Sequence, residues 1–319
     1  MTMTHTFTKG IHEIAPGTYA YLQPDGSWGY SNAGLIVGDG EVMLIDTLFS
    51  VGLTEEMLAT IRSAVPEAAH IDWLVNTHAN GDHCYGNQLL TGSRILSSDS
   101  VADEVAGDDP SAIQVLLSMA DRFGQAGSYF TRCFGAFDTS DVVVTPPQQT
   151  FRGALSVTLA GRTVELIELG PAHSAGDVVV HVPDVDVLFT GDLVFVGSTP
   201  IVWEGPLSHW VEACDAMLGL DPRVVVPGHG PITGQSGILD VRAYLEFVAA
   251  QSSLRHDRGM TPWEATLDID LGTFGGWLNN ERLAVNVAMA YHEIDPATWT
   301  KITQWDAFSD MARYAGSRG

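Results

Sequence analysis

The segment Thr77-His-Ala-Asn-Gly-Asp-His-Cys-Tyr-Gly-Asn87 puts His78, Asp82 and His83 within one short, glycine-punctuated loop. Imidazole nitrogens and carboxylate oxygens are the donors that zinc, iron and manganese take. A lone histidine is most often a satisfied polar side chain; three donor groups packed between two glycines are harder to explain that way. Further donors follow downstream. His173 lies in Gly170-Pro-Ala-His-Ser-Ala-Gly-Asp177, Asp192 in Phe189-Thr-Gly-Asp-Leu193, and His229 in Pro227-Gly-His-Gly230. Each comes just after an apolar β-type run and is bracketed by glycine, so the chain can turn tightly and aim one donor at a shared point. Loops at the C-terminal ends of strands are where α/β proteins place their sites.

The series resembles the metallo-β-lactamase superfamily. That family's order is an early Asp, a His-x-His-x-Asp-His loop, a His, an Asp after Thr-Gly and a late His after Pro-Gly. Asp46, the 78–83 loop, His173, Asp192 and His229 stand in those places, over about residues 11–235. The resemblance implies an α/β chain folded as a four-layer αββα sandwich. It implies two metal ions: one on His78, residue 80 and His173, the other on Asp82, His83 and His229, with Asp192 bridging them. Asp46 supports the loop and is not a ligand. Zinc is the expected metal, with iron or manganese as alternatives.

One position departs from the family. Asn80 stands where the second loop histidine belongs, and a neutral amide oxygen is a weaker donor than imidazole. Either the first metal is held less tightly, or only His78, His173 and Asp192 hold it. That second set is two histidines and one carboxylate, which also suits mononuclear Fe(II).

The chemistry implied is hydrolysis of an ester, thioester, lactone or amide of a bulky small molecule by a water that the metals activate. Asp82 and Asp192 are the catalytic carboxylates. Three alternatives stand beside it. Asn80 suggests an iron dioxygenase similar to the family's persulfide dioxygenases. The segment from Trp277 to Glu293 resembles the C-terminal helix of aromatic-polyketide cyclase-thioesterases, which would bring a carrier-bound acyl chain as partner. The third is a binding protein that keeps the fold without the chemistry.

The elements that must position these residues can be outlined. Gly34–Val37 and Val42–Asp46 flank Gly38-Asp-Gly40 as a hairpin. A helix is expected from Leu53 to Val65, stopped by Pro66, and a buried strand over Ile71–Asn76. Residues 98–141 read as a helical insertion over the sheet edge, either a lid or a subdomain with its own core. Its Phe130 and Phe134, with Trp203 and His209, are the candidate substrate-pocket residues. Strands follow at 155–159, 163–167, 178–182 and 187–190, then a helix at 208–218 and a strand at 224–226. The rest reads as helix. The expected organisation is a metallo-β-lactamase-like domain over 1–240, with 241–319 as a helical extension packed on it.

Composition narrows the class. The 319 residues carry 15 Lys+Arg against 39 Asp+Glu, a formal charge of −24. That balance argues against a nucleic-acid partner, which needs a basic face. Lys9 and Lys301 are the only lysines, so no polybasic membrane patch exists. With 45% apolar residues the chain can bury a sizeable core. No apolar run is long enough to span a bilayer, and the first ten residues lack a secretory pattern. Cys84, Cys133 and Cys214 read as free thiols, which fits a reducing cytoplasm. His5 and His12 are expected in solvent, and His70 and His181 in structural places.

Overall fold

Apolar alternation near the N-terminus builds an antiparallel meander of β1 (Gly10–Ala15), β2 (Thr18–Leu22), β3 (Ala33–Val37) and β4 (Val42–Ile45). The structure is a computed structural model that describes residues 6–318, so His5 lies outside the described residues. Helix α1 (Val51–Ala64) then crosses over to β5 (Trp73–Val75), which pairs parallel to β4. Parallel neighbours need such a crossover. Ser50 caps α1 by accepting the Leu53 N–H at 3.2 Å, and the helix therefore starts two residues before the expected Leu53. Val51, Thr54, Met57, Leu58 and Ile61 form its buried stripe.

The short α2 (Gly81–Cys84) leads to β6 (Arg94–Ser98). The insertion folds as α3 (Asp99–Gly107), α4 (Ser111–Ser118) and α5 (Gly124–Phe134), and β7 (Gln149–Phe151) closes a sheet ordered β1 to β7. A second sheet runs β12-β11-β10-β9-β8. Its strands are β8 (Ala154–Leu159), β9 (Arg162–Glu168), β10 (Val178–Val182), β11 (Val187–Phe189) and β12 (Val224–Val226), with α6 (Leu207–Gly219) as the crossover into β12. Then come α7 (Gln235–His256), α8 (Pro262–Asp268), α9 (Leu283–Ile294) and α10 (Gln304–Arg318).

Three apolar clusters make four layers. Ile14, Leu22, Ile36 and Met43 of the first sheet meet Leu159, Leu166, Val180 and Phe189 of the second. Cutting one such leucine to alanine would cost about 2–5 kcal/mol. Met57, Leu58 and Ile61 of α1 cover the outer face of the first sheet at Leu35, Leu44 and Leu74. Helices α6, α7 and α9 cover the second, with Trp210, Tyr244 and Val287 packed towards Leu188 and Val225. Strands β10 to β12 are buried on both faces, which is why they read as near-continuous apolar runs, broken only by His181.

The insertion does more than cover an edge. Helix α3 sits against β6 and β7, but α5 packs on α10 at the other end of the chain. Among the described residues no helix is long and apolar enough to cross a membrane.

Candidate metal centre

Four loops at strand ends converge because glycines let them. A Cβ on Gly228 would lie 2.0 Å from Asp192 Oδ1, so only glycine allows the 227–229 turn to approach that carboxylate. Gly191 has φ +49°, and a Cβ there would fall 2.4 Å from Thr77 Oγ1. The two positions draw the loops after β5, β11 and β12 onto one another.

Asp192 is the hub. Its Oδ1 lies 3.2 Å from His83 Nε2 and 3.5 Å from His229 Nε2. Its Oδ2 lies 3.4 Å from His173 Nε2 and 3.8 Å from His78 Nε2. Asp82 Oδ2 stands 3.3 Å from His229 Nε2 and 4.0 Å from His83 Nε2. The four imidazoles and Asp192 are all buried. The six donors named from the sequence come together, and each oxygen of Asp192 serves a different pair of rings.

Hydrogen bonds on the far side of three rings fix what faces inward. His83 donates Nδ1–H to Asp46 Oδ2 at 2.9 Å, and His173 donates Nδ1–H to the Ile201 carbonyl at 2.8 Å. His78 donates Nδ1–H to Thr77 Oγ1 at 3.0 Å, whose own proton goes to Asp46 Oδ2 at 2.7 Å. His78 and His173, lowered first by burial, are neutral and present an Nε2 lone pair to a carboxylate. Burial also lowers His83, but Asp192, Asp46 and Asp82 push it well up, so there a proton stands where a cation would. His78 Nε2, His83 Nε2 and Asp192 Oδ1 are buried without a hydrogen-bond partner. Lone pairs buried against an anion are unfavourable until a cation stands between them. The donor chemistry thus fits metal ions. Two donor groups, His78–His83–Asp192 and Asp82–His83–His229, each have their ligand atoms within 4.8 Å of one another.

Asp46 accepts the Thr77 N–H and Thr77 O–H, both at 2.7 Å, in addition to His83. It holds a left-handed backbone, φ 62°, which aspartate tolerates better than most residues. Burial raises the pKa of Asp46 despite His83, whereas electrostatics keep Asp192 and Asp82 ionised. Burial raises Asp192, but His229, His83 and His78 outweigh it and hold the carboxyl well below its usual range. Burial likewise raises Asp82, and His83 and His229 bring it down to about 2. His229 is lowered by burial yet pushed up to about 9 by Asp192 and Asp82.

Asn80 faces the same point. Its Oδ1 lies 2.7 Å from His173 Nε2. Because His173 Nδ1 already carries the donated proton, two acceptors meet there, which calls for a cation between them or an amide turned so that its NH2 donates.

A sequence model of the metallo-beta-lactamase superfamily matches residues 26–229. The chain belongs to the metallo-β-lactamase superfamily. Among curated relatives, the 2,4-dinitroanisole O-demethylase subunit alpha of Nocardioides sp. (strain JS1661) is 26% identical over 197 residues, 61% of this chain and 51% of that one. The acyl-coenzyme A thioesterase MBLAC2 of Homo sapiens is 28% identical over 230 residues, 62% and 72% of the two chains. Among solved structures, the sec-alkylsulfatase Pisa1 from Pseudomonas sp. superposes with a TM-score of 0.65 at 18% identity, covering 92% of this chain and 52% of that one, a likeness of fold. The chain spans about half the length of the demethylase subunit and of the sulfatase.

In this member of the metallo-β-lactamase superfamily a cavity of about 840 Å³ opens over the donors. Phe130 and Phe134 of α5 line it, as does Trp203. His209 is not among its lining residues: it is half-buried on α6 and donates Nδ1–H to the Pro171 carbonyl at 2.6 Å. The wall also holds Trp28, Phe49, Phe308 and Arg282, none of which stands out in the sequence. Exposed Asp103, Glu104, Asp108 and Asp109 form an acidic rim, where Glu204 pairs with Lys301. Cys84, read as a free thiol, is buried beside His83, and burial pushes its pKa well up.

Proposed function

We propose that the chain is a metal-dependent hydrolase for an ester or thioester of a bulky, largely apolar small molecule, with lactone and amide bonds as variants of the same chemistry. The observation that carries this reading is the set of unpartnered imidazole and carboxylate atoms around Asp192, at the base of an aromatic-walled cavity. Bound metal, with zinc as the first candidate, would supply a water acidified towards neutrality and positive charge for the developing oxyanion.

The residues divide the remaining work. His78, Asn80 and His173 would hold one ion and Asp82, His83 and His229 the other, with Asp192 available to both. Asp82, ionised and lining the cavity, accepts a hydrogen bond from the attacking water and orients it. Trp28, Phe134 and Trp203 hold the apolar body of the substrate and exclude bulk water. Three buried free cysteines suit a reducing compartment, and we assign the protein to the cytoplasm. The acidic rim favours a free small molecule over a phosphate-bearing carrier.

Metal analysis together with a 4-nitrophenyl ester assay tests this. Two zincs per chain and ester turnover are expected. Asp192→Ala should lose at least one metal and the turnover while keeping the fold by circular dichroism. Full metal content and activity in that variant would remove the shared-ligand role. Asn80 favours a second reading, in which His78, His173 and Asp192 hold a single iron as a two-histidine, one-carboxylate set. One iron per chain and oxygen consumption with a persulfide substrate would select it.

A further inference from the structure

Arg282 lies at the N-terminal end of α9, beyond the segment that matches the family. It is 2% exposed, yet it lines the cavity. Its guanidinium stands 4.1 Å from the Trp28 ring centroid and 5.3 Å from that of Phe195. Phe195 in turn stacks flat on His229, centroids 5.3 Å apart, so Arg282 is one ring removed from the metal donors.

The charge of this side chain is poorly answered. Nη1 donates to the Thr199 carbonyl at 2.8 Å, and Nε is buried with no partner. Among the described residues no carboxylate lies within ion-pair distance of Arg282. The adjacent Glu281 turns away, accepting from Tyr129 Oη at 3.1 Å and pairing with Arg132 at 3.6 Å. A single carbonyl and two aromatic faces do not satisfy five donors and a buried positive charge. Burial accordingly lowers its pKa, against the pull of Tyr129 and Asp192.

The missing acceptor is one that a substrate can bring. A guanidinium fork matches a planar carboxylate, and flanking rings hold the fork in place without competing for its donors. The rim limits the ligand's charge: Asp103, Glu104, Asp108 and Asp109 oppose any anion at the entrance, and a polyanion more than a single charge, so attraction has to come from the buried cation. Resting on the hydrolase reading above, we propose that Arg282 is a specificity residue that binds a carboxylate of the substrate, holding the scissile bond over Asp192. The substrate class is then a half-ester or half-thioester: an apolar or aromatic body with one free carboxylate.

The test compares mono-4-nitrophenyl glutarate with its neutral near-isostere 4-nitrophenyl valerate on the metal-loaded enzyme. The parent should prefer the glutarate. In Arg282→Met the kcat/KM ratio of glutarate to valerate should fall about tenfold or more, the usual worth of a hydrogen bond to a charged group. Arg282→Lys, which keeps the charge and loses the fork, should give a ratio between the two and covers the case in which the methionine variant does not fold. A parent with no glutarate preference, or variants in which both esters fall together at a constant ratio, would make Arg282 a structural wall and end the proposal.

A binding measurement separates this from the hydrolase reading. Calorimetry with 4-phenylbutyrate and 4-phenylbutanamide should show a preference for the acid that Arg282→Met abolishes, whether or not any ester is cleaved. A preference that survives the substitution would assign the carboxylate to the metals and overturn the proposal. A preference that depends on Arg282 in a protein that cleaves neither ester would keep the anion site and reject the hydrolase.

Discussion

Asn80 Oδ1 stands 2.7 Å from His173 Nε2, and on the proposed metal assignment it would be the weakest ligand of one ion. An amide oxygen carries no charge and gives less electron density than imidazole, so the ion beside Asn80 should be the first lost to a chelator. Asn80→His should raise the metal-to-protein ratio at limiting zinc. An unchanged ratio would mean that the amide donates to His173 and does not ligate. His229 adds a pH dependence. Its pKa of about 9 in the metal-free chain means that at pH 7.5 the ring holds a proton which a metal must displace. Zinc affinity should therefore rise with pH up to about 9, and calorimetry in buffers of different ionisation enthalpy at pH 7.5 should detect proton release of roughly one per chain from this ring. The converging donor groups were legible in the sequence because they sit in glycine-flanked loops after apolar runs. Arg282 and Trp28 were not, because they meet across a separation that no local pattern records.

At the scale of elements, the insertion divides into a fixed wall and a loose one. Helix α5 buries Tyr129, Phe130, Cys133 and Phe134, and Phe308 of α10 packs on both phenylalanine rings, with centroids 5.3 and 5.6 Å away. Helix α4 buries no residue, yet Ala112, Ile113 and Leu116 face the cavity. Amide hydrogen exchange should be faster in α4 than in α5, and equal protection would show that α4 is as firmly held. Phe134→Ala should raise KM for bulky esters more than for acetate esters; an equal rise would place the ring's effect in packing alone. Aromatic content left this segment open between a lid and a subdomain with its own core, and its docking on α10 was not readable, since both partners are short amphipathic helices. The hairpin β3–β4 was legible from its glycine turn. The strand β7, only Gln149–Phe151, follows no such signal and is defined by pairing with β6.

For the whole molecule, the segment after residue 234 completes the fourth layer. Trp210, Cys214 and Met217 of α6 are buried in one cluster with Val241, Tyr244 and Val248 of α7 and with residues of α9. A chain ending at residue 234 should therefore expose this face and aggregate on expression. Recovery of a soluble, cooperatively melting fragment would show that the sandwich closes without the helices. The family order of donors made the αββα core readable, whereas the helices beyond it are fixed by which apolar faces α6 leaves uncovered.

The acidic rim has a consequence for turnover. On the proposed reading, ester cleavage would make a carboxylate where none stood, and that new charge would arise at the base of a cavity whose exit is lined by Asp103, Glu104, Asp108 and Asp109. The field of the rim, in a chain of net charge −24, works against retention of the more negative species. The entrance would thus act as an electrostatic expeller. Product inhibition should deepen as added salt screens the rim over a Debye length of about 8–10 Å, so the enzyme's own surface charge would set how often it is free to turn over again.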